Sequence, residues 1–315
     1  MPYKINIVSK MNGVGLDQDV KLIAETLSDA GFDVSISPHH RVKSLWRVLQ
    51  CDKKFDANIF IERVHRRWSG LAKKNFLIPN QERFPKRQLG KLKSIDAVFT
   101  KTAHATEAFR QYCKDVELIG FTSNDLYDPE VEKHYDRFMH LAGKSTLKGT
   151  QAILAAWGKH PNWPQLTLLQ HGSNVASSIP SNVKLISTRI DEAQLKKKMN
   201  EHGIHLCPSQ AEGWGHYIAE AMSCAAVVVT TDGPPMNELV SDETGELVSI
   251  SQERARHLGV EYFIDVGAFE QVIEKLISQN GEVGAAKGQR ARQWFLANNS
   301  QFRTRLSKAL IARIQ

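Results

Sequence analysis

The sequence has few of the features that mark secreted, membrane-spanning or metal-dependent proteins. It holds only four cysteines, and none of them lies in a CxxC pair or another spacing typical of metal ligands. Since no secretory signal opens the chain, we expect reduced, mostly buried thiols in a cytoplasmic protein. No apolar run approaches the roughly 20 residues that a membrane-spanning helix needs, so we expect contact with the inner membrane face at most.

An acidic triplet of the kind that holds a divalent metal is also missing from the predicted strand ends. The only Asp-x-Asp sequence is Asp17-Gln18-Asp19, which opens a predicted helix. Acidic side chains at that position are explained by helix capping and by the helix dipole. We therefore expect no bound metal and no cofactor apart from a co-substrate.

Positive charge is abundant, and it is unevenly distributed. Of the 41 Lys and Arg residues, 18 lie between His39 and Lys114, where only 6 Asp and Glu residues are found. Such a block attracts polyanions, although a solvated basic surface would have the same composition. The anionic partners left open are phospholipid, a phosphorylated glycan and nucleic acid.

Short apolar segments alternate with amphipathic stretches along most of the chain. The first is a predicted strand over Tyr3–Val8, followed by a glycine-bearing loop and a predicted helix over Asp17–Ala30. A polar, turn-rich stretch between Phe121 and Tyr135 interrupts the alternation, which starts again at Arg137. Strands and helices in this order are typical of a parallel sheet with helices on both faces, so we expect an α/β protein.

A length of 315 residues is that of two ordinary domains. We expect two tandem Rossmann-like, doubly wound domains that face a cleft, the first over residues 1–130 and the second over residues 135–298. A C-terminal helix near residues 299–315 is expected to pack back on the first domain. Ligands of such sheets bind at the carboxyl ends of the strands.

The most informative stretch runs from Cys207 to Glu238 and reads CPSQAEGWGHYIAEAMSCAAVVVTTDGPPMNE. A predicted strand ends at Cys207, a loop carries Glu212, and a helix starts near Gly215. A helix start preceded by glycines is an anion-binding site, because unpaired amides and the helix dipole point at the ligand. Glu220 lies one to two turns into that helix, where its carboxylate can accept two hydrogen bonds from a ribose diol.

This stretch resembles the retaining family 4 glycosyltransferases of the GT-B fold. Their motif reads Glu-Gly-Phe-Gly, with seven residues between its glutamate and a second one; here Trp214 stands for the phenylalanine, and Glu212 and Glu220 are the glutamates. The resemblance implies that Glu212 contacts hydroxyls of the donor sugar and that Glu220 contacts the ribose. The donor contacts that it implies on this stretch are Gly213, Trp214, Gly215, His216, Tyr217 and Glu220.

The resemblance continues in a strand, loop and helix start that read HLAGKSTLKG from His140 to Gly149. In the family an arginine and a lysine at this place neutralise the donor diphosphate, and Gly143 would lie in the same loop. Lys144 stands where arginine is usual and lacks the bidentate fork of a guanidinium. The resemblance implies that Lys144 and Lys148, with Glu212, form the catalytic set.

The first half of the chain matches the family only in layout. Gly13 and Gly15 stand where the family closes a loop over the phosphates, although a tight turn also needs glycine. Arg189 lies in a segment where backbone contacts often select the donor base. The family's histidine after the fourth strand is replaced by the sequence IPNQE. The acceptor-side candidates are Glu82, His65 and His104.

The resemblance implies that the chain transfers a hexose or pentose from a UDP-, GDP- or ADP-sugar to an acceptor hydroxyl, with retention at the anomeric carbon. The departing phosphate oxygen can take the acceptor proton, so no protein base is required. The basic block predicts an anionic acceptor, a lipid-linked or phosphorylated glycan at a membrane surface. The alternatives are a glycosyltransferase that modifies nucleic acid and a sugar-nucleotide epimerase or hydrolase of the same fold.

Overall fold

The computed structural model describes residues 1–10, 15–40, 53–176 and 178–315. The chain forms two compact units. The first unit consists of residues 1–123, 255–259 and 298–315, and the second of residues 124–254 and 260–297. Each unit has a six-stranded sheet flanked by helices, and every strand pair of these sheets is parallel. The predicted doubly wound α/β fold is confirmed.

The sheet of the first unit has the strand order β2-β1-β3-β4-β5-β6. Its strands are β1 (Lys4–Ser9), β2 (Asp33–Pro38), β3 (Phe55–Ile61), β4 (Ala72–Ile78), β5 (Ala97–Thr100) and β6 (Val116–Leu118). Its described helices include α1 (Gly15–Asp29), α2 (Arg66–Ser69) and α3 (Ala103–Arg110), with 3₁₀ segments at Gln81–Arg83 and Lys86–Ser94. The central strands are covered on both faces and are mostly apolar and buried, with one buried asparagine each in β1, β3 and β4.

Some of the buried polar groups of the first unit link neighbouring elements. The Asn6 amide donates to Asn58 at 2.9 Å, and the Asn58 amide donates to Asn75 at 2.9 Å, which links three neighbouring strands. Lys101, just past β5, forms an ion pair of 2.6 Å with Asp19 of α1, and both side chains are almost fully buried. A buried charge needs such a partner, so the pair ties the end of the sheet to the first helix.

The sheet of the second unit has the order β12-β11-β10-β7-β8-β9. Its strands are β7 (His134–Gly143), β8 (Leu166–Gln170), β9 (Val183–Ile186), β10 (His202–Cys207), β11 (Val227–Thr231) and β12 (Gly245–Val248). The helices around it are α4 (Thr150–Lys159), α5 (Glu192–Glu201), α6 (His216–Ser223), α7 (Met236–Leu239) and α8 (Val266–Ser278), with a 3₁₀ turn at Gly172–Asn174. Its main core is apolar and centres on Trp157, Phe138 and Phe269.

Two further elements complete the described chain. Strands β13 (Ile250–Arg256) and β14 (Gly259–Ile264) form a separate two-stranded sheet. The last helix, α9 (Gly281–Ile314), is 34 residues long, and its residues from 298 onward belong to the first unit. There Arg313 donates to both oxygens of Asp115. Among the helices of the described residues, none has the length and apolar character to cross a membrane.

Candidate functional site

The predicted site residues of the second unit lie on loops at one edge of its sheet and on helix α6, which follows one of these loops. The loops after β7 and after β10 carry the basic pair and the first glutamate of the motif, respectively. Strands β7 and β10 are neighbours in the parallel sheet, so their carboxyl ends lie side by side. That edge is where open α/β sheets bind their ligands.

The two loops approach each other at Gly149, the residue before α4. Its φ is +70°, and a Cβ built there would lie 2.2 Å from the Pro208 carbonyl oxygen, so only glycine fits. The Gln210 amide also donates to the Leu147 carbonyl at 2.8 Å. These contacts fix the loop of Lys148 against the loop of Glu212.

A buried histidine holds the strands beneath these loops in register. His140 of β7 has Nδ1 2.7 Å from the Leu206 carbonyl oxygen of β10, and Nε2 2.9 Å from the Thr150 hydroxyl of α4. Burial lowers the pKa of His140 to about 4, so the ring is neutral at neutral pH. Since a carbonyl only accepts, Nδ1 carries the proton and Nε2 accepts from Thr150.

The centre of the site is a chain of four polar side chains. The Lys148 ammonium lies 2.9 Å from Glu212 Oε1 and 3.1 Å from the centroid of the Tyr217 ring. The Ser209 hydroxyl donates to the same Glu212 oxygen at 2.6 Å and lies 2.6 Å from the Tyr217 hydroxyl, which therefore donates to it. Burial raises the pKa of Tyr217 well above its usual value, so the phenol keeps its proton.

Helix α6 begins beside this chain of side chains. Its first residue is His216, and Gly215 before it has a φ of +108° with no side chain capping the helix. Trp214 is buried, as is Gly213, whereas the second glutamate of the motif, Glu220, is half-buried in the middle of the helix. A helix start of this kind favours an anion.

The remaining predicted residues of the second unit lie farther out on its loops. Lys144 is exposed, and its carbonyl accepts a hydrogen bond of 2.8 Å from Asn174. Gly143 precedes it at the end of β7 with a φ of +57°. Arg189 is exposed in the loop after β9.

The predicted residues of the first half lie on several of its elements, except that Gly13 is outside the described residues. Gly15 is the first residue of α1. Glu82 is buried in the 3₁₀ turn after β4. His65 is the residue before α2, and burial, with nearby histidine and basic groups, lowers its pKa to about 4. His104 is half-buried at the start of α3.

Ser209, His140 and Thr150 are site residues that the sequence analysis did not single out. Ser209 is fully buried and touches both Glu212 and Tyr217. The sequence does contain a signal for His140, which stands in the otherwise apolar strand sequence Phe-Met-His-Leu. A buried imidazole needs hydrogen-bond partners, so a histidine at such a position predicts polar contacts inside the core. In the described part of the chain, no group of three or more His, Cys, Asp or Glu residues is arranged to hold a metal.

The family model described as "Glycosyl transferases group 1" matches residues 116–276, which include every site residue of the second unit. No curated protein matches the sequence.

Solved structures share the fold over almost the whole chain. A sucrose-phosphate synthase (tll1590) from Thermosynechococcus elongatus is 14% identical with a TM-score of 0.73, covering 98% of each chain. A glycosyltransferase from Rickettsia africae ESF-5 is also 14% identical, with a TM-score of 0.74, covering 99% of this chain and 98% of that one. Anabaena Alr3699/HepE in complex with UDP-glucose is 14% identical with a TM-score of 0.73, covering 98% of this chain and 100% of that one. The GT-B fold expected from the motif is confirmed.

Proposed function

The chain belongs to the glycosyl transferases group 1 family, and from this premise we propose that it transfers a sugar from a nucleoside-diphosphate donor to an acceptor hydroxyl, with retention. One observation carries the donor half of the proposal. Lys148 and Glu212 are held 2.9 Å apart at the carboxyl edge of a parallel sheet, beside the start of a helix. The HepE structure, which contains UDP-glucose, supports a nucleotide-sugar donor.

The four linked polar side chains can contact both the diphosphate and the sugar of such a donor. An ammonium has three N–H donors, so Lys148 can hold Glu212 and a diphosphate oxygen together. The Glu212 carboxylate, oriented by Ser209, accepts hydrogen bonds from hydroxyls of the donor sugar. Glu220 accepts hydrogen bonds from the ribose diol. The base of the donor, which is uracil, guanine or adenine in the candidate UDP-, GDP- and ADP-sugars, lies near the backbone of the segment that contains Arg189.

The reaction breaks the bond between the anomeric carbon and the diphosphate oxygen while the acceptor oxygen bonds to the same face of the sugar. Negative charge grows on the departing diphosphate, where Lys148, Lys144 and the start of α6 stabilise it. The departing oxygen takes the acceptor proton, so no protein base is needed. In this proposal the lysines and the helix dipole perform the neutralisation that Mg²⁺ performs in metal-dependent transferases.

The acceptor half of the proposal rests on charge. The stretch from His39 to Lys114 carries 18 basic and 6 acidic residues, and such an excess attracts anions. We propose an anionic acceptor, a lipid-linked or phosphorylated glycan, presented at a membrane surface. Glu82, His65 and His104 are the acceptor-side candidates.

Incubation with UDP-, GDP- and ADP-sugars tests the proposed reaction. One donor should be consumed, and NMR of the product with a phosphorylated acceptor should show the anomeric configuration of the donor. Glu220→Ala and Lys148→Ala should each lower turnover by roughly 100-fold or more. The matched control Lys184→Ala removes an exposed lysine of β9 and should change nothing. Full activity in both site variants would contradict the donor site.

Two other results would redirect the proposal. An inverted product would exclude the same-face mechanism while leaving the transferase assignment standing. Consumption of the donor at the same rate with and without any acceptor would indicate an epimerase or hydrolase of this fold.

A further inference from the structure

A cavity of about 420 Å³ lies in the first unit, at the carboxyl edge of its sheet. His39 and His40 follow β2, and His65 follows β3, two strands that flank β1 in parallel. The edge is the one at which such sheets bind ligands. Among the described residues the cavity is lined by His39, His40, Val64, His65, Arg66, Arg67 and Lys91.

The charge of the described part of this lining is of one sign. Among the described residues the lining has three cations, Arg66, Arg67 and Lys91, and no carboxylate. Within the described part of the chain none of the three forms an ion pair with Asp or Glu, and Arg66 is instead held by a hydrogen bond of 3.0 Å to the Gly90 carbonyl. Cations gathered without a counter-charge repel one another, and an anionic ligand would relieve that repulsion.

Imidazole rings line the cavity together with these cations. The ring centroid of His39 lies 5.1 Å from that of His40 and 5.0 Å from that of His65. Burial lowers the pKa of both His39 and His65, so both rings are neutral near pH 7, and each neutral ring has a single N–H. The His39 ring is hydrogen-bonded to the Ser9 backbone, so His65 is the donor of the two. The three rings are not placed as metal ligands, because no metal-binding group is found among the described residues.

We propose that this cavity binds a phosphoryl group carried by the acceptor. The proposal rests on the transferase function proposed above and names the anion that the first unit recognises. A guanidinium matches phosphate oxygens in a bidentate way, and a phosphate monoester carries nearly two negative charges at neutral pH, which suits three cations better than one carboxylate does.

The shape of the site favours one phosphoryl group over a nucleic-acid strand. Proteins that bind single strands use a basic groove along successive phosphates, with aromatic side chains on which bases stack. Here the cations converge on one concave site, and its described lining contains no Phe, Tyr or Trp. A volume of about 420 Å³ leaves room beside the phosphate for part of the group that bears it.

Titration of the full chain with inorganic phosphate at constant ionic strength tests the binding directly. The imidazole NMR signals of His39, His40 and His65 should shift together and saturate at a single dissociation constant. Lys91→Gln should raise that constant roughly ten-fold, because a charge-assisted hydrogen bond is lost. Lys93→Gln is the matched control, an exposed lysine on the same 3₁₀ segment that is not part of the cavity lining, and it should leave the constant unchanged.

Arg67→Gln provides a second variant in which folding is not at risk, because the side chain is exposed. It should weaken phosphate binding as Lys91→Gln does. The proposal is overturned if the three histidine signals do not saturate, or if Lys91→Gln and Lys93→Gln weaken binding equally, since that would be a general field effect.

The source of the phosphoryl group is settled by competition. Vesicles of phosphatidic acid in phosphatidylcholine should bind the chain and displace phosphate if the group belongs to a lipid. A soluble hexose phosphate should displace it, with no vesicle binding, if the group belongs to a glycan. Both results support the cavity; displacement by single-stranded DNA or RNA alone, with neither of these, would overturn the proposal.

Failure of this inference can be told from failure of the proposed function. A chain that consumes a nucleotide sugar but shows no saturable phosphate binding would keep the transferase and lose the cavity. A chain that binds phosphate but neither binds nor consumes any nucleotide sugar would keep the cavity and lose the transferase.

Discussion

Replacing Ser209 with alanine is expected to lower the stability of the second unit and to weaken its binding of a donor sugar. The Ser209 hydroxyl donates to Glu212 Oε1 at 2.6 Å and accepts from the Tyr217 hydroxyl, also at 2.6 Å. Ser209 is fully buried and Tyr217 is 5% exposed. The substitution removes both bonds, and water has little access to replace them.

The size of the effect follows from the two bonds. A hydrogen bond to a charged group contributes about 1.5–3 kcal/mol, and a buried hydroxyl left without a partner costs about 1–3 kcal/mol. Since Glu212 keeps its bond to Lys148, we expect Ser209→Ala to lower the free energy of unfolding by about 2–4 kcal/mol. Tyr217→Phe leaves the bond from Ser209 to Glu212 in place and should cost about 1 kcal/mol.

Chemical denaturation of the wild type, the two single variants and the double variant measures these values. The double variant should lose less than the sum of the single variants, because Tyr217→Phe removes the hydroxyl that Ser209→Ala would leave unpaired. Additive losses, or a Ser209→Ala variant as stable as the wild type, would refute this reasoning.

The same variant separates a positioning role from a purely structural one. Ser209 orients Glu212, which we propose to contact the donor sugar, whereas Lys148 holds the diphosphate. Ser209→Ala should therefore weaken binding of a nucleotide sugar more than binding of the matching nucleoside diphosphate. Equal weakening of both would indicate that Ser209 only supports the fold.

Three further predictions concern stability and are measured by denaturation of the full chain. Lys101→Met removes one member of the almost fully buried pair with Asp19 and should cost about 3–5 kcal/mol, so a loss below about 1 kcal/mol would contradict the importance of the pair. Gly149→Ala should destabilise the second unit by more than about 1 kcal/mol, because the backbone is left-handed and the Cβ meets a carbonyl oxygen; an unchanged midpoint would contradict the close approach. The pKa of His140 is about 4 against an ordinary 6.5, so the unfolded state binds more protons, and His140 should contribute a loss of about 3 kcal/mol of stability as pH drops from 6.5 to 4, beside the losses from the other buried histidines. His140→Gln should make that dependence shallower by the His140 contribution, and an identical pH profile in the variant would exclude His140 as a cause.

The alternation of strands and helices was predictable because the buried strands are apolar runs of ordinary length. The predicted strand over Tyr3–Val8 differs by one residue at each end from β1, and the predicted helix over Asp17–Ala30 differs by two residues at its start and one at its end from α1. Strands β12, β13 and β14 were not predicted. The exposed strand β13, read as ISQERAR, shows no apolar alternation, so the sequence pattern gives no strand signal even though its partner β14 is the next strand along the chain.

The sequence predicted which segments form the candidate site, but it did not predict the side-chain contacts between those segments. The stretch around Glu212 and Glu220 predicted a helix start near Gly215, and the resemblance of residues 140–149 to the family predicted that Lys144 and Lys148 belong to the same site. The ion pair between Lys148 and Glu212 joins residues 64 positions apart, and its distance depends on the register of β7 and β10. No local pattern encodes that register, so the contact and the Ser209 bridge required the structure.

The most direct test of the donor site is calorimetric binding of nucleoside diphosphates and their sugars to the full chain. We predict that one of UDP, GDP and ADP binds at a single site. Lys148→Met should weaken binding of that diphosphate by roughly ten-fold or more, while Lys184→Met should bind like the wild type. If none of the three diphosphates or their sugars binds, or if Lys148→Met binds as tightly as the wild type, the proposed donor site is wrong.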